Sequence, residues 1–285
     1  MVIGDITTRN ARRYPQKTAV VFEGHRLTFS QFNNRLNCLI EALFDMGVWK
    51  GDRVAVLLDN CHQYIELYFA IPKGGMIMVP LNIMLGVKEL AYTINDSGAN
   101  TLVLGENYLP KVDSIRGEIG GVENFIVVGS SRTGMRSYEE LVSKYPSTEP
   151  VAKVSEGDLA YLLYTSGTTG LPKGVMQTHR SMVEVAVNYA LFYSLHHKDI
   201  GLLAMPSCFA ASLCAVLLPH FYMGCSVFQM KEFEPKAVLE LIERERITTS
   251  CLLLPLIFSL LESPQREKYD TNSLRAIAFG GTSIA

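Results

Sequence analysis

From Arg53 to Leu58 the chain reads RVAVLL, an apolar run with almost no alternation, and the texture returns at Met76–Pro80, Thr101–Leu104 and Phe125–Val128. Such runs are typical of parallel strands covered on both faces. Between them lie stretches with helical spacing, from about His62 to Ile71, Val87 to Asn95 and Val112 to Arg116. Upstream, the pattern predicts a helix ending at Arg13 and a hairpin of Thr18–Phe22 and His25–Thr28 turning at Glu23-Gly24. Ser30 then caps a helix that places Phe32, Leu36, Leu39, Ile40 and Leu43 on one face and stops at Gly47. Strand–helix alternation of this kind predicts an α/β fold with parallel sheets.

Downstream, Ser130–Pro150 is polar, with one short helical piece near Tyr138–Ser143, and reads as a seam. Two α/β subdomains are expected on either side, residues 1–155 and 156–285. The second comprises strands at Leu159–Tyr164, Gly174–Gln177, Leu202–Met205, Ser226–Gln229, Ser250–Leu253 and Leu274–Phe279. Its helices run from Thr178 or Ser181 to Tyr193, then over Ser212–Phe221, Pro235–Arg246 and Ile257–Leu261. From Asp199 to Lys231 no Asp, Glu, Lys or Arg intervenes, a length that could span a bilayer. Pro206, Pro219, Gly224 and His220 break that stretch into shorter buried pieces, so no transmembrane segment is expected.

With 285 residues, 48% hydrophobic and 19% charged, the chain can bury a sizeable core. A net charge of −2 gives no bulk field to recruit nucleic acid. The six cysteines form no CxxC pair and sit among apolar neighbours, as reduced core thiols of a cytoplasmic protein would. The histidines show no zinc spacing, and His196-His197 reads as a polar loop pair. The N-terminus has no apolar segment of a signal peptide.

The chemistry concentrates at YLLYTSGTTGLPKGVMQTH, Tyr161 to His179. A buried strand opens into a loop of Thr165, Ser166, Gly167, Thr168, Thr169 and Gly170, followed by Pro172, Lys173 and Gly174. Gly167, Gly170 and Gly174 let backbone approach a ligand closely. The hydroxyls and free N–H groups offer donors without negative charge, and Lys173 adds a mobile cation. That combination suits a polyphosphate. A kinase-type GxxxxGK[ST] loop occurs nowhere in the chain.

YTSGTTGLPKGV resembles the phosphate-binding signature of the adenylate-forming superfamily, which includes acyl- and aryl-CoA synthetases, firefly-type luciferases and peptide-synthetase adenylation domains. KGDRVAVLLDN (Lys50–Asn60), GGMIMVPLN (Gly74–Asn82), LLAMPSCFA (Leu202–Ala210), FEPKAVLELIERERIT (Phe233–Thr248) and FGGTS (Phe279–Ser283) are similar to successive blocks of acyl-CoA synthetases, in the same order. The resemblance implies two subdomains, each a largely parallel sheet between helices, with the nucleotide between them. It also implies an ATP-dependent acid–CoA ligase that forms an acyl adenylate and then a thioester with CoA. Thr165, Ser166, Gly167, Thr168, Thr169 and Gly170 would cradle the β- and γ-phosphates, Lys173 would add charge there, and the Thr165 hydroxyl would lie near Mg²⁺. Gly280, Gly281 and Thr282 would lie along the adenine. Phe209 would line the acyl pocket, whose small neighbours favour an apolar or aromatic acid.

The family's later motifs do not occur before Ala285: the Tyr-Gly-x-Thr-Glu segment, the ribose-binding Asp, the hinge and the C-terminal domain with its lysine. The resemblance therefore implies the N-terminal portion of a longer enzyme, its second subdomain incomplete, inactive alone and expected to self-associate. The alternatives are a non-catalytic ATP- or acyl-binding chain and an adenylating enzyme that loads a carrier protein.

Overall fold

The computed structural model describes residues 1–130, 132–165 and 171–280. Helix α1 (Ile3–Arg13) leads into the hairpin β1 (Thr18–Phe22) and β2 (His25–Thr28), followed by α2 (Phe29–Asp45). Then come β3 (Arg53–Leu57), α3 (His62–Lys73), β4 (Ile77–Pro80), α4 (Val87–Ser97), β5 (Thr101–Gly105), α5 (Leu109–Ile115), β6 (Asn124–Val128), β7 (Arg136–Ser137) and α6 (Tyr138–Lys144). A second hairpin, β8 (Leu159–Thr165) and β9 (Lys173–Thr178), precedes α7 (His179–Phe192) and β10 (Ile200–Leu203). A π-helical segment, Ser212–Leu217, runs into α8 (Leu218–Met223), followed by β11 (Ser226–Gln229), α9 (Pro235–Glu245), β12 (Thr249–Leu252), α10 (Leu254–Leu261) and β13 (Ala276–Phe279). No helix among the described residues is long and apolar enough to cross a membrane.

Local chemistry sets the helix starts. The cap of α2 is Thr28, two residues before the expected Ser30, because Thr28 and Gln31 form the reciprocal pair. Gln31 N donates to Thr28 Oγ1 (3.2 Å) and Thr28 N to Gln31 Oε1 (2.9 Å), so two otherwise orphaned donors are satisfied. Thr178 and Ser181 make the same exchange at the start of α7.

The strands assemble into two sheets, in the orders β7-β6-β5-β3-β4-β8-β9 and β13-β12-β10-β11-β1-β2. Each is parallel except for one antiparallel edge strand, β9 in the first and β2 in the second. Sheet membership does not follow the expected division at residue 155. The N-terminal hairpin leaves its sequence neighbours and pairs β1 parallel to β11, Val20 opposite Val227. Conversely, β8 and β9 join the first sheet through β4, Met78 opposite Tyr161. The physical reason is that β3 to β6 already pair with one another, while β11 has an apolar edge free for β1.

Strand alternation divides the core. Val54, Val56, Met78, Val103 and Ile126 face a large cluster shared with α1, α2, α3 and the six-stranded sheet. Ala55, Leu57, Val79, Leu102 and Leu104 face the opposite way, against Leu90 and Ile94 of α4 and Val112 and Ile115 of α5. Helix α3 contacts β4 and β8 on one side and β1 on the other, which places it between the sheets.

The expected seam is built structure. β7 extends the seven-stranded sheet beside β6, and α6 is tied to the core through Glu66, a fully buried carboxylate on α3. Arg35 of α2 donates to both its oxygens (2.7 and 3.1 Å), Tyr138 Oη donates to it (2.7 Å), and the Arg35 guanidinium also reaches Glu139 (2.9 Å). Further along, Lys73 Nζ meets Glu149 at 2.8 Å and donates to Asn33 and Asn37 of α2. The polar residues here pair with buried groups of α3, Glu139 reaching the Arg35 that holds Glu66 and Glu149 reaching Lys73, while their own carboxylates stay largely exposed.

Candidate functional site

Parallel strands gather their carboxyl ends on one side, where α/β folds place ligands. Thr165 ends β8 and Lys173 begins β9, and the two are register partners across the hairpin. Their pairing closes the base of the Gly/Thr-rich loop, and both side chains are exposed. Ser166, Gly167, Thr168, Thr169 and Gly170 lie outside the described residues, as do Gly281 and Thr282.

Gly174 is required by the packing of the hairpin itself. A Cβ there would lie 2.9 Å from Leu162 Cδ1 and 3.1 Å from the Tyr164 ring, so glycine is what lets these side chains cross the strand pair. Tyr164, immediately before Thr165, is fixed at its far end by a 2.6 Å hydrogen bond from Oη to Asp96 of α4. Burial and that bond to a carboxylate push the phenol up from its ordinary pKa.

Two cavities open at the carboxyl ends. One, of about 530 Å³, has Tyr164, Thr165 and Pro172 on its wall, with Asn82, Cys208 and Phe209 opposite. The other, of about 670 Å³, is lined mainly by apolar groups: Tyr189 and Phe192 of α7, Met205, Leu252, Ala278 and Phe279 among them, with Gly280 at the rim. Both volumes fall in the range of small-molecule sites. Thr165 and Phe209 are therefore brought together, and Gly280 belongs to the apolar cavity. Phe209, expected to line the acyl pocket, borders the cavity that holds Thr165.

The wall between them is a single stretch. Met205 and Ala211 face the apolar cavity, whereas Cys208, Phe209 and Ala210 face the other. Burial pushes the Cys208 thiol up from its ordinary pKa, so it is a weak nucleophile. The sequence reading missed the α7 wall, although Asn188, Tyr189 and Phe192 fall on one stripe at helical spacing. It also missed Asn60 and Tyr68, whose side chains hold the dividing stretch from across the molecule.

Among the described residues no group of three or more His, Cys, Asp or Glu side chains could hold a metal, and the Thr165 side chain is exposed at the end of β8. All six cysteines are free thiols.

The AMP-binding enzyme family matches residues 7–285. Feruloyl-CoA synthase from Amycolatopsis sp is 32% identical over 282 residues, covering 99% of this chain and 55% of that protein. Fatty acid–[acyl-carrier-protein] ligase ScoC from Streptomyces coeruleorubidus is 30% identical, covering 98% of this chain and 53% of its own length. The inhibitor-bound N-terminal domain of FACL13 from Mycobacterium tuberculosis superposes with a TM-score of 0.92 at 28% identity, over all of this chain and 71% of that one. The chain spans about half the length of the curated relatives it matches. Signature loop, paired sheets and matched family agree: this chain belongs to the AMP-binding enzyme family, within the adenylate-forming superfamily.

Proposed function

We propose that the chain supplies the triphosphate- and acid-binding parts of an AMP-forming acid–CoA ligase for an apolar carboxylic acid. One observation carries this reading: the Thr165/Lys173 hairpin and the apolar cavity share one wall, residues 205–211. A carboxylate seated at the mouth of the apolar cavity would face the phosphate side. Its oxygen attacks the α-phosphorus, the bond to the β-phosphate breaks, and pyrophosphate leaves with that electron pair. A thiol then displaces AMP from the acyl carbon.

The barrier is one of charge, because an anion must approach a triphosphate. Hydrogen-bond donors and cations aimed at the phosphoryl oxygens lower it. In this reading Thr165, Ser166, Gly167, Thr168, Thr169, Gly170 and Lys173 bind the β- and γ-phosphates, and Gly280, Gly281 and Thr282 lie along the adenine. Phe209 lines the Thr165 side of the shared wall. Magnesium would accompany the triphosphate, with the Thr165 hydroxyl beside it. The acids that correspond to the feruloyl and fatty acyl groups in the two relatives' names carry one carboxylate on a largely hydrocarbon body, which fits the lining. CoA is the acceptor assigned, with a carrier protein as the alternative.

In the whole enzyme to which this chain would contribute these parts, acid-dependent exchange of labelled pyrophosphate into ATP tests the first half-reaction, with calorimetric titration of ATP–Mg²⁺ beside it. Lys173→Ala should slow exchange at least about tenfold, equivalent to about 1.4 kcal/mol in the barrier. Binding of ATP without exchange would instead support a binding-only chain. Absence of both would refute the proposal.

A further inference from the structure

Asn60 lies three residues beyond β3, in the seven-stranded sheet, yet its hydrogen bonds go to the other sheet. Its Nδ2 donates to Met205 O (3.0 Å), just past β10, and to Met230 O (2.9 Å), just past β11. Its Oδ1 accepts from Ser207 N (2.7 Å). Both N–H groups and the oxygen of the amide are thus in use, at a site that is 9% exposed.

Ser207 is held from two further directions. Tyr68 Oη of α3 donates to Ser207 O (2.6 Å), and Gln229 Nε2 of β11 donates to Ser207 Oγ (2.6 Å). On the far side, Ser212 Oγ donates to Pro206 O (2.8 Å), which closes the turn into the π-helical segment. The pinned residue sits in the stretch that divides the cavities, and Met205, itself bonded to Asn60, lines the apolar one. An amide clamp to backbone fixes position in a way that packing of Cys208, Ala210 and Ala211 alone would not, because small side chains leave the stretch little to interlock with.

We propose that Asn60 is a positioning residue: it sets the depth of the acid cavity by holding residues 205–211 from the opposite sheet. This rests on the acid-binding reading above. Asn60→Asp keeps the shape but replaces the two N–H donors with an oxygen facing two carbonyls, while Ser207 N keeps its acceptor. Asn60→Ala removes the clamp, and Tyr68→Phe removes one bond to the same peptide with little risk to folding.

The experiment measures amide hydrogen exchange across 205–211 and, separately, calorimetric affinities for octanoate and 2-naphthoate, using the full chain. Exchange in 205–211 should accelerate at least tenfold in both Asn60 variants, with a smaller rise in Tyr68→Phe and no change over β3 to β6. The ratio of the two Kd values should shift at least threefold. Unchanged exchange in 205–211, or a uniform acceleration throughout the chain, would overturn the role, as would faster local exchange with an unchanged ratio. If the wild-type chain binds neither acid, the acid-binding reading falls. The exchange data then still decide whether Asn60 holds the partition.

Discussion

His220 braces the two strands whose ends wall the apolar cavity, and its titration should be visible in the stability of the protein. The ring is fully buried on α8. Its Nδ1 donates to Val216 O (2.6 Å), since a carbonyl can only accept, so neutral Nε2 accepts from Thr249 Oγ1 at the start of β12 (2.6 Å). The ring also fills the space above Gly201 of β10, where an added Cβ would lie 2.6 Å from it. Burial, the largest cause, lowers the imidazole pKa from 6.5 to about 4. Between those values the unfolded chain binds the proton and the folded one does not, so stability is complete above pH 6.5 and declines toward pH 4. Taking those two values, the loss on going from about pH 7.5 to about pH 5 is on the order of 2 kcal/mol from this residue alone. His179, lowered to about 4 by burial as well, acts in the same direction. The assay is urea unfolding followed by near-UV circular dichroism at both pH values, for wild type and His220→Gln. The variant should be less stable at the higher pH, because Thr249 loses its partner, and should lose about 2 kcal/mol less on acidification. Parallel losses in the two proteins would refute the burial argument.

Other consequences are checked more briefly. Arg35→Ala should destabilise by about 3–5 kcal/mol, read as a lowered urea midpoint, because it leaves the buried Glu66 carboxylate without its cation. In wild type, affinity for straight-chain acids should rise about fourfold per methylene, from about 0.8 kcal/mol for each buried group. Ala211→Phe should end that rise at a shorter chain, while Phe209→Ala, on the other cavity, should not; calorimetry across the series decides, and identical series would reject the cavity assignment. A chain cut after residue 155 should not fold as a stable unit, contrary to what its strand–helix pattern suggests. It would lack β8 and β9 beside β4, and its own β1 would have lost β11; cooperative thermal unfolding of that piece would show otherwise.

The chain's local pattern determined much of this protein. Hydrophobic spacing located the helices and strands to within a few residues, because burial on one face or two leaves a period in the sequence. The strand-then-Gly/Thr loop with Lys173 was legible as phosphate chemistry, since donors, small residues and one cation are adjacent in the chain itself. What the pattern does not record is the neighbour. Val20 and Val21 announce a buried strand, but only tertiary pairing put β1 against β11, and only the sheet order made β8 and β9 part of the first sheet. Likewise Glu66 and Lys73 look like solvated charges until Arg35 and Glu149 meet them from elsewhere in the chain. The apolar cavity joins α7, β12 and β13, and the Asn60 amide reaches Ser207 across 147 positions of sequence. Such contacts are set by how finished elements pack, a property of the assembled sheets that no single segment carries.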